Sequence, residues 1–401
     1  MASFLIQTQY YPPEMGAPQA RLSELAIGLK KRGFDIQVLT AMPNYPTGRL
    51  FSGYRGFRKK ETLEGIPVIR TWIYPTKNLG FLSRLINYFS FIFSSLTLGI
   101  WGLGKIDYLF TESPPLFLGI NGYLLSRIKN AKWIFNVSDL WPESAVRLGV
   151  IKHGFLLKLA NWLEAFCYRK AFLVTGQSES IKHNIDNRFP NVNTYHLSNG
   201  VDIKKFGPEY FNASHRQELS PNGNFLIFYG GLHGLAQGLE QILYAAQQSP
   251  KDVHFVFVGD GPEKEKLIGL ANQLNLTNVD FLDPVPKERM PSFLASVDIC
   301  LVPLKTTLPG AVPSKLYEAM ASSKPVIFIG EGEAREIVER YQVGLVVNPG
   351  DIPGIVSSIE ILVKDSDLRN KLGINGRKTA VEQYSRETII QKFLEYLDVL
   401  E

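Results

Sequence analysis

Short apolar segments alternate with helical segments along the whole chain, and this alternation constrains the fold more than any other feature. The apolar segments lie at 4–8, 36–40, 108–111, 133–137, 172–175 and 195–197, and then at 225–229, 253–258, 279–282, 299–302, 326–329 and 344–347. Strands that are separated by helices pair in parallel sheets, and helices cover both faces of such sheets. The sequence therefore predicts an α/β protein with two tandem, doubly wound, Rossmann-like domains.

The length of the chain agrees with two domains. A chain of 401 residues is long for a single hydrophobic core, and domains of about 200 residues are common. We expect an N-terminal domain over 1–203, a C-terminal domain over 204–384 and a final helix over 385–401 that packs back on the first domain.

Charge is divided unevenly between the two halves. Residues 1–205 carry 25 Lys and Arg against 13 Asp and Glu, whereas residues 206–401 carry 18 against 25. A basic domain predicts an anionic partner, and a membrane surface or a lipid diphosphate fits better than nucleic acid, because no nucleic-acid recognition motif is present. Cys167 and Cys300 are isolated, and the first residues do not form a signal peptide. We therefore expect a reducing, cytoplasmic location.

Two neighbouring segments predict contact with a membrane. Residues 85–104 carry no charge, so they could span a bilayer, lie buried in the first domain or lie in the membrane interface. Residues 49–60 interleave basic and aromatic side chains, which fits either a solvated loop or a loop that inserts rings among lipid headgroups. The residues assigned to this membrane and acceptor surface are Arg49, Tyr54, Arg55, Phe57, Arg58, Lys59 and Lys60.

Residues 310–328, GAVPSKLYEAMASSKPVIF, predict half of a nucleotide-sugar site. Small residues lead to Ser314, a favourable N-cap, and the following helix carries Lys315 and, one turn later, Glu318. Open amide groups and a cation at a helix start suit a diphosphate, while a carboxylate suits the hydroxyl groups of a ribose. The alternative is that Lys315 and Glu318 form an ordinary solvated ion pair.

Three further loops follow predicted strands at the edge where α/β sheets bind ligands. The loop 10–18 contains Gly16, which would let the backbone approach a phosphate closely. Asp139 directly follows a strand, where it could contact a sugar, act as a base or cap the next helix. The loop 230–238 contains four glycines and His233, a possible donor to phosphate, but it lacks the spacing of a dinucleotide site. No histidine, cysteine or acidic group has metal-ligand spacing, so we expect no obligatory metal or other cofactor.

In chain order, these motifs resemble those of the retaining glycosyltransferases of family 4, which have the GT-B fold. The resemblance spans nearly the whole chain and rests on YYPPEMGAPQARLSELAIGLKKRG, DLWPES, SNGVD, VGDGPEKEKL, DICLVP, VPSKLYEAMASSKPVI and GLVVNPGD. The chain is most similar to the bacterial surface-polysaccharide branch, and within it to the N-acetyl-L-fucosamine transferases of O-antigen assembly. The family implies two domains facing a cleft, with the donor held mainly by the second domain and the acceptor by the first.

The resemblance also implies roles for individual residues. Glu318 matches the carboxylate on the ribose hydroxyl groups, Gly16 matches the first-domain loop against the diphosphate, and Asp139 lies in the acceptor-side loop. The predicted catalytic residues are Asp139 and Lys315. The predicted donor-binding residues are Gly16, Asn199, Gly231, Val285, Pro286, Gly310, Ala311, Ser314, Lys315, Leu316 and Glu318.

The chain departs from the family pattern at three positions. Relatives usually carry an arginine and a lysine on the diphosphate where this chain has Gly231 and Gln237, and a glutamate where it has Gly310. We expect Lys315 to replace some of this charge, with backbone amides of the helix start supplying the rest.

These observations predict a retaining glycosyltransferase, peripheral on the cytoplasmic face of the plasma membrane. It would move an N-acetylated amino or deoxy sugar, such as N-acetyl-L-fucosamine, from a UDP-sugar to a polyprenyl-diphosphate-linked saccharide in O-antigen or capsule assembly. The alternatives are a nucleotide-sugar epimerase, which would not need the basic-aromatic segment, and a catalytically silent partner subunit, which the three departures would suit.

Overall fold

The computed structural model describes residues 2–77, 81–147, 154–305 and 310–400. The chain divides into two compact units, Met1–Asn199 with Ile390–Glu401 (unit 1) and Gly200–Ile389 (unit 2). Each unit is built on one predominantly parallel sheet, so the predicted α/β class with two doubly wound domains is confirmed.

Unit 1 contains an eight-stranded sheet in the order β3-β4-β2-β1-β5-β6-β7-β8. The strands are β1 (Ser3–Gln7), β2 (Asp35–Ala41), β3 (Arg58–Leu63), β4 (Ile66–Thr71), β5 (Tyr108–Ser113), β6 (Lys132–Val137), β7 (Leu173–Gly176) and β8 (Thr194–His196). The helices are α1 (Ala17–Lys31), α2 (Phe81–Ser94), α3 (Leu118–Lys129), α4 (Glu143–Arg147), α5 (Phe155–Lys170) and α6 (Glu179–Arg188). β1 is central because its apolar residues are covered on both faces, and Ile6 pairs with Val38 of β2 and Phe110 of β5.

The helices α3, α5 and α6 bury one face of this sheet. Phe135 of β6 packs in one apolar cluster with Leu163 and Cys167 of α5 and Ile181 of α6. A side chain at Gly119 of α3 would meet the Cys167 sulfur at 2.4 Å, so the glycine permits close packing of α3 against α5.

Part of the predicted loop 49–60 is a strand. Arg58, Lys59 and Lys60 begin β3, which pairs antiparallel with β4, so the prediction of a loop is wrong for these three residues. β3 reads RKKETL and lies at the edge of the sheet, where polar side chains are tolerated and an apolar pattern is not required.

Residues 85–104 form the end of α2, a π-helical turn Ser95–Gly99 and the turn that follows. Phe91 and Ser95 are buried, while Ile86, Phe89 and Phe93 of the same stretch are exposed. Within the described ranges, every helix is too short or too polar to cross a bilayer.

Unit 2 contains a six-stranded parallel sheet in the order β11-β10-β9-β12-β13-β14. The strands are β9 (Phe225–Gly230), β10 (Val253–Val258), β11 (Val279–Leu282), β12 (Ile299–Pro303), β13 (Val326–Ile329) and β14 (Gly344–Val347). The helices are α7 (Ala213–Leu219), α8 (Glu240–Gln248), α9 (Lys264–Gln273), α10 (Met290–Ala295), α11 (Ser314–Ala321), α12 (Glu333–Tyr341), α13 (Ile352–Lys364) and α14 (Ser366–Glu382). Short 3-10 turns occupy Pro208–Tyr210 and Leu235–Gln237.

The last helix, α15 (Arg386–Leu400), carries residues 390–400 onto unit 1. The ring of Phe393 lies 5.6 Å from that of Tyr195, and the Tyr396 hydroxyl donates a hydrogen bond of 3.1 Å to the Thr194 carbonyl. A side chain at Gly28 of α1 would meet Ile390 at 2.2 Å, so α1 and α15 pack closely at this glycine.

Candidate active site

A candidate site of unit 2 lies where its strand order reverses. β9 pairs with β10 on one side and β12 on the other, and ligands of open α/β sheets bind beyond the carboxyl ends of strands at such a point. A cavity of about 210 Å³ opens there, lined by Gly230 at the end of β9, by Gly231 directly after it and by Ser314, Lys315 and Glu318 of α11. The structure thus brings together four of the predicted donor-binding residues: Gly231, Ser314, Lys315 and Glu318.

Lys315 occupies the space that a side chain at position 231 would need. Gly231 has a φ of +148°, and a Cβ on this residue would lie 2.1 Å from Lys315 Cε and 2.5 Å from its Nζ. No acceptor among the described residues takes a hydrogen bond from Lys315 Nζ, which lies 6.0 Å from the centre of the Tyr229 ring. Within the described residues, the Lys315 ammonium thus has no hydrogen-bond acceptor, and it lies beside Gly231, one of the positions at which the chain departs from the family pattern.

Glu318 lies one turn after Ser314 and beside two cations. Burial raises the pKa of the Glu318 carboxyl, while the Lys315 ammonium, the Ser314 hydroxyl and the Lys287 ammonium act in the opposite direction. Lys287 was not among the predicted site residues, although it directly follows the predicted pair Val285 and Pro286. A cation in that segment was the signal that could have identified it.

Ser314 does not cap α11. The helix begins at Ser314, Pro313 occupies the N-cap position and no side chain caps the helix, so the N-cap prediction is wrong. The first amide groups of the helix consequently have no side-chain cap. The opposite end is held by α14, where Arg377 donates hydrogen bonds to the carbonyls of Ala321 at 2.9 Å and Phe206 at 2.8 Å.

Of the other predicted donor-binding residues, three lie within four positions of the start of α11, two follow β11, and two, including Asn199, lie in unit 1. Gly310 has a φ of +77°, a conformation that favours glycine, and Ala311 follows it. Leu316 is fully buried, so only its backbone could reach a ligand. Val285 packs against the core after β11, and Pro286 is exposed beside it. Asn199 is the last residue of the first part of unit 1.

His233 does not face the cavity, so its predicted role as a donor to phosphate is wrong. Its side chain is fully buried among aromatic rings, 5.8 Å from Tyr229 and 6.1 Å from Phe281. Neither ring nitrogen has a hydrogen-bond partner within the described residues, and burial lowers the His233 pKa to about 4. The imidazole is therefore neutral near pH 7 and belongs to the core.

The glycine-rich loop after β10, which contains Gly259 and Gly261, holds the backbone of residues 230–234 in place. The Gly231 amide donates to the Val258 carbonyl at 2.8 Å, and the His233 amide donates to the Asp260 carbonyl at 2.9 Å. A Cβ on Gly259, whose φ is +144°, would lie 1.9 Å from the Gly231 oxygen. Glycine at position 259 is therefore required for the approach that holds Gly231 beside Lys315.

Unit 1 places its predicted residues at the carboxyl edge of its own sheet. Gly16 is the N-cap of α1, and its carbonyl accepts the first helical hydrogen bond, from the Ala20 amide at 3.1 Å. Glu14 is buried and accepts hydrogen bonds from the amides of Asn44 and Tyr45, both at 2.8 Å. The loop before α1 is therefore held in place by a carboxylate that is not itself available to a ligand.

Asp139 follows β6 and lies just before α4. The Ser144 hydroxyl donates a hydrogen bond to its carboxylate, and α4 begins only at Glu143, so Asp139 is not the N-cap. Burial raises the Asp139 pKa, the Ser144 hydroxyl and the Leu140 amide lower it, and the Glu143 carboxylate raises it further. A half-buried carboxylate with a raised pKa suits proton transfer, so the structure is compatible with the predicted role.

A buried polar cluster beside Asp139 was not predicted. Arg21 of α1 donates hydrogen bonds to Glu112 at 2.5 Å and to the Ser138 hydroxyl at 2.8 Å, and Asn136 donates to Glu112 at 2.8 Å. Ser138 precedes Asp139 directly, so this cluster fixes the backbone that carries the predicted catalytic carboxylate. The sequence indicates this cluster only through the position of Glu112 near the end of β5.

The predicted membrane residues are divided between bonded and exposed positions. Tyr54 is held between cations, with Lys59 Nζ 4.0 Å and the Arg70 guanidinium 5.2 Å from its ring centre, and its hydroxyl donates to Glu61 at 3.2 Å. Arg58 donates to the Trp101 carbonyl. The exposed members are Arg49, Arg55, Phe57 and Lys60.

No group of three or more His, Cys, Asp or Glu residues in the described part of the chain could hold a metal ion.

Comparisons with known proteins identify the family. The model of glycosyl transferases group 1 matches residues 211–379, and the model of the glycosyl transferase 4-like domain matches residues 16–200. The colanic acid biosynthesis glycosyl transferase WcaI of Escherichia coli strain K12 is 25% identical over 397 residues, covering 96% of this chain and 97% of its own. The capsular polysaccharide biosynthesis glycosyltransferase CapM of Staphylococcus aureus is 25% identical, covering 72% and 71%.

A solved structure shows the same fold. HepE of Anabaena, in complex with UDP-glucose, superposes with a TM-score of 0.73 at 20% identity and covers 100% of both chains. The 4-like domain model matches the part of the chain that forms the sheet of unit 1, and the group 1 model matches the part that forms the sheet of unit 2. The chain therefore belongs to the group 1 glycosyltransferases of family 4 and is a glycosyltransferase with the GT-B fold.

Proposed function

We propose that the protein transfers a sugar, with retention of configuration, from a UDP-sugar to a polyprenyl-diphosphate-linked saccharide of a bacterial surface polysaccharide. The observation that carries the proposal is Lys315 Nζ, which has no acceptor among the described residues and lines a glycine-walled cavity at the switch point of unit 2. The UDP-glucose complex of HepE supports a UDP donor, and the names of WcaI and CapM support surface polysaccharide as the product.

The difficult step is departure of the nucleoside diphosphate. The bond between the anomeric carbon and the diphosphate oxygen breaks, and negative charge builds on that oxygen. Preorganised donors at such a position are commonly the largest catalytic contribution. Lys315 supplies a full charge, and the uncapped amide groups at the start of α11 supply partial charge to the same place.

The remaining residues bind and orient the two substrates. In this proposal Glu318 accepts hydrogen bonds from the ribose, Gly16 lies against the diphosphate, and Asp139 contacts the acceptor. Val285 and Pro286 would lie beside the base. The other donor contacts are Asn199, Gly231 and the backbone of Gly310, Ala311, Ser314 and Leu316.

The acceptor is attached to a lipid, so we also propose that the protein acts at the cytoplasmic face of the plasma membrane as a peripheral protein. The donor sugar is proposed to be an N-acetylated amino or deoxy sugar, such as N-acetyl-L-fucosamine.

The test measures UDP release by purified protein with a panel of UDP- and GDP-sugars, with and without a polyprenyl-diphosphate saccharide. The proposal predicts UDP release that depends on the lipid-linked acceptor and a glycosylated lipid in equal amount. Conversion of a donor to its epimer without acceptor would overturn the proposal in favour of the epimerase. Thermal stabilisation by GDP but not by UDP would overturn the donor assignment.

A further inference from the structure

Three neighbouring helices of unit 1 each expose large apolar side chains. Phe93 of α2 is 72% exposed, Ile128 of α3 is 60% exposed, and Phe155 and Trp162 of α5 are 77% and 61% exposed. α3 lies between the other two helices: its Asn121 donates to the Ile92 carbonyl of α2 at 2.8 Å, and its Tyr123 ring lies 5.0 Å from Phe166 of α5. We call this surface the α2–α3–α5 face. Soluble monomers rarely leave such a surface uncovered.

The α5 helix is apolar on two sides. Ala160, Leu163 and Cys167 are buried against the sheet, whereas Phe155, Leu159 and Trp162, spaced by four and three residues, are exposed on the other side. A helix that only covers a sheet needs the first set and would carry polar residues in the second.

Charge on the three helices is of one sign. Their ranges contain six Lys and Arg and a single acidic residue, Glu164. Glu164 is buried and paired with Arg188, whose Nη1 lies 2.9 Å from it. The α2–α3–α5 face therefore combines exposed apolar groups with cations and offers no exposed carboxylate on these helices.

A cationic cavity lies where α3 and α5 end. Its volume is about 360 Å³, and its lining includes Arg127, Lys132 and Lys170 but no acidic residue. Within the described residues, Arg127 and Lys170 have no ion-pair partner. The lining residue Arg127 directly precedes the exposed Ile128 in α3, and Lys170 is the last residue of α5, so an anion bound there would lie at the ends of two helices of this face.

We propose that the α2–α3–α5 face docks on a bilayer of anionic phospholipid, with the side chains of Phe155 and Trp162 in the interface and a lipid phosphate in the cavity of Arg127, Lys132 and Lys170. Amphipathic surfaces of this composition bind by apolar burial together with attraction to anionic lipid. A bilayer explains the combination better than a protein partner, because exposed apolar side chains occur on all three helices and the cationic cavity contains Arg127 and Lys170, which have no ion-pair partner among the described residues. The proposal builds on the proposed membrane-linked acceptor, but its test measures binding without turnover.

The experiment is co-sedimentation of the full chain with vesicles of phosphatidylcholine alone or with roughly one third phosphatidylglycerol. We expect binding to the mixed vesicles to be about tenfold tighter, with the difference disappearing as salt is raised, because salt screens charge attraction. The double variant Phe155→Asp with Trp162→Asp should lose about tenfold or more in affinity for both vesicle types. Its matched control, Phe211→Asp with Ile374→Asp, changes two exposed apolar residues of unit 2 and should bind like the parent.

The cavity is tested by charge reversal. Arg127→Glu with Lys170→Glu should remove most of the preference for phosphatidylglycerol, whereas Arg340→Glu with Lys371→Glu, an equal change of net charge at exposed positions of unit 2, should retain it. Circular dichroism and melting temperature establish that each variant is folded.

Several results would overturn the proposal. One is unchanged vesicle binding by the Phe155 and Trp162 variant, and another is an equal loss in either control. The parent protein could instead fail to bind vesicles and form a dimer. If the Phe155 and Trp162 variant is then monomeric, the face binds a second copy of the chain. Turnover of a water-soluble acceptor is measured in the parent and in the same variants. If the parent shows no turnover, the result contradicts the proposed function but not the proposed membrane docking.

Discussion

Gly231 and Lys315 are close enough that a double-mutant cycle can test whether they act as one unit. Lys315→Ala removes the ammonium group from the proposed leaving-group site. Loss of one preorganised donor at such a position costs about 2.7–4 kcal/mol, which lowers kcat by about 10²–10³. No described group accepts a hydrogen bond from Lys315 Nζ, so this variant breaks no hydrogen bond among the described residues and should fold.

Gly231→Ala should displace the lysine rather than remove it. The new Cβ would lie 2.1 Å from Lys315 Cε, whereas ordinary contact begins at 3.4 Å. Lys315 therefore has to move by about 1 Å, and a misplacement of that size costs about 10² in rate. The φ of +148° adds backbone strain of about 1–3 kcal/mol, which lowers the free energy of unfolding independently of the lysine.

In the Lys315→Ala background, the two effects of Gly231→Ala should separate. The loss of stability persists, because it arises in the backbone, but kcat should fall by no more than about threefold further, because the displaced group is already absent. The assay is UDP release at saturating donor and acceptor, on samples whose unfolding is measured in parallel by urea. If the two losses of kcat simply multiply, Lys315 does not act through the space beside Gly231 and the assignment fails.

Three further predictions concern residues around this site. Glu318→Gln should weaken donor binding about tenfold or more, because hydrogen bonds to a charged group contribute about 1.5–3 kcal/mol, and KM for the donor measures this. The same variant should raise Tm at pH 7, because a carboxyl whose pKa is raised in the folded state destabilises the folded protein once pH exceeds the unfolded pKa. A lower Tm for Glu318→Gln would refute this reasoning. His233→Phe should stabilise unit 2 by about 1–3 kcal/mol, because it removes two buried ring nitrogens that have no hydrogen-bond partner among the described residues. It should also abolish the loss of stability that the parent shows as pH falls from the unfolded His pKa of about 6.5 to the folded value of about 4, and urea unfolding at several pH values measures both effects. Arg377→Ala should lower the free energy of unfolding in urea by about 1–3 kcal/mol, because the carbonyls of Ala321 at the end of α11 and of Phe206 lose this donor. The exposed control Arg340→Ala should change it by less than about 0.5 kcal/mol.

Buried strands and the loops that follow them could be predicted because their signals are local. An apolar run such as Val253–Val258 is buried wherever it pairs, and the helix that carries Lys315 and Glu318 follows from its own residues. β3 was missed for the converse reason: RKKETL gains its partner from β4 and has no apolar pattern of its own. Ser314 is a good N-cap in isolation, but Pro313 takes that position in the structure.

Tertiary pairing explains the remaining differences. Arg21 and Glu112 are 91 positions apart, and neither neighbourhood indicates that they meet beneath Ser138. His233 lies in a glycine-rich loop whose composition suits phosphate, yet the aromatic cluster that buries it is assembled from Tyr229, Phe257 and Phe281 on three different strands. The direction of a single side chain depends on such neighbours, and a linear pattern does not contain it.

The return of residues 390–400 to unit 1 has a consequence for biosynthesis. A ribosome delivers all of Gly200–Ile389 before it delivers Phe393 and Tyr396, which pack against Tyr195. Unit 2 can therefore mature on the nascent chain while unit 1 still lacks its last layer, the reverse of the usual N-terminal-first order. Until that helix is synthesised, the aromatic surface around Tyr195 is open to chaperones and to misassembly.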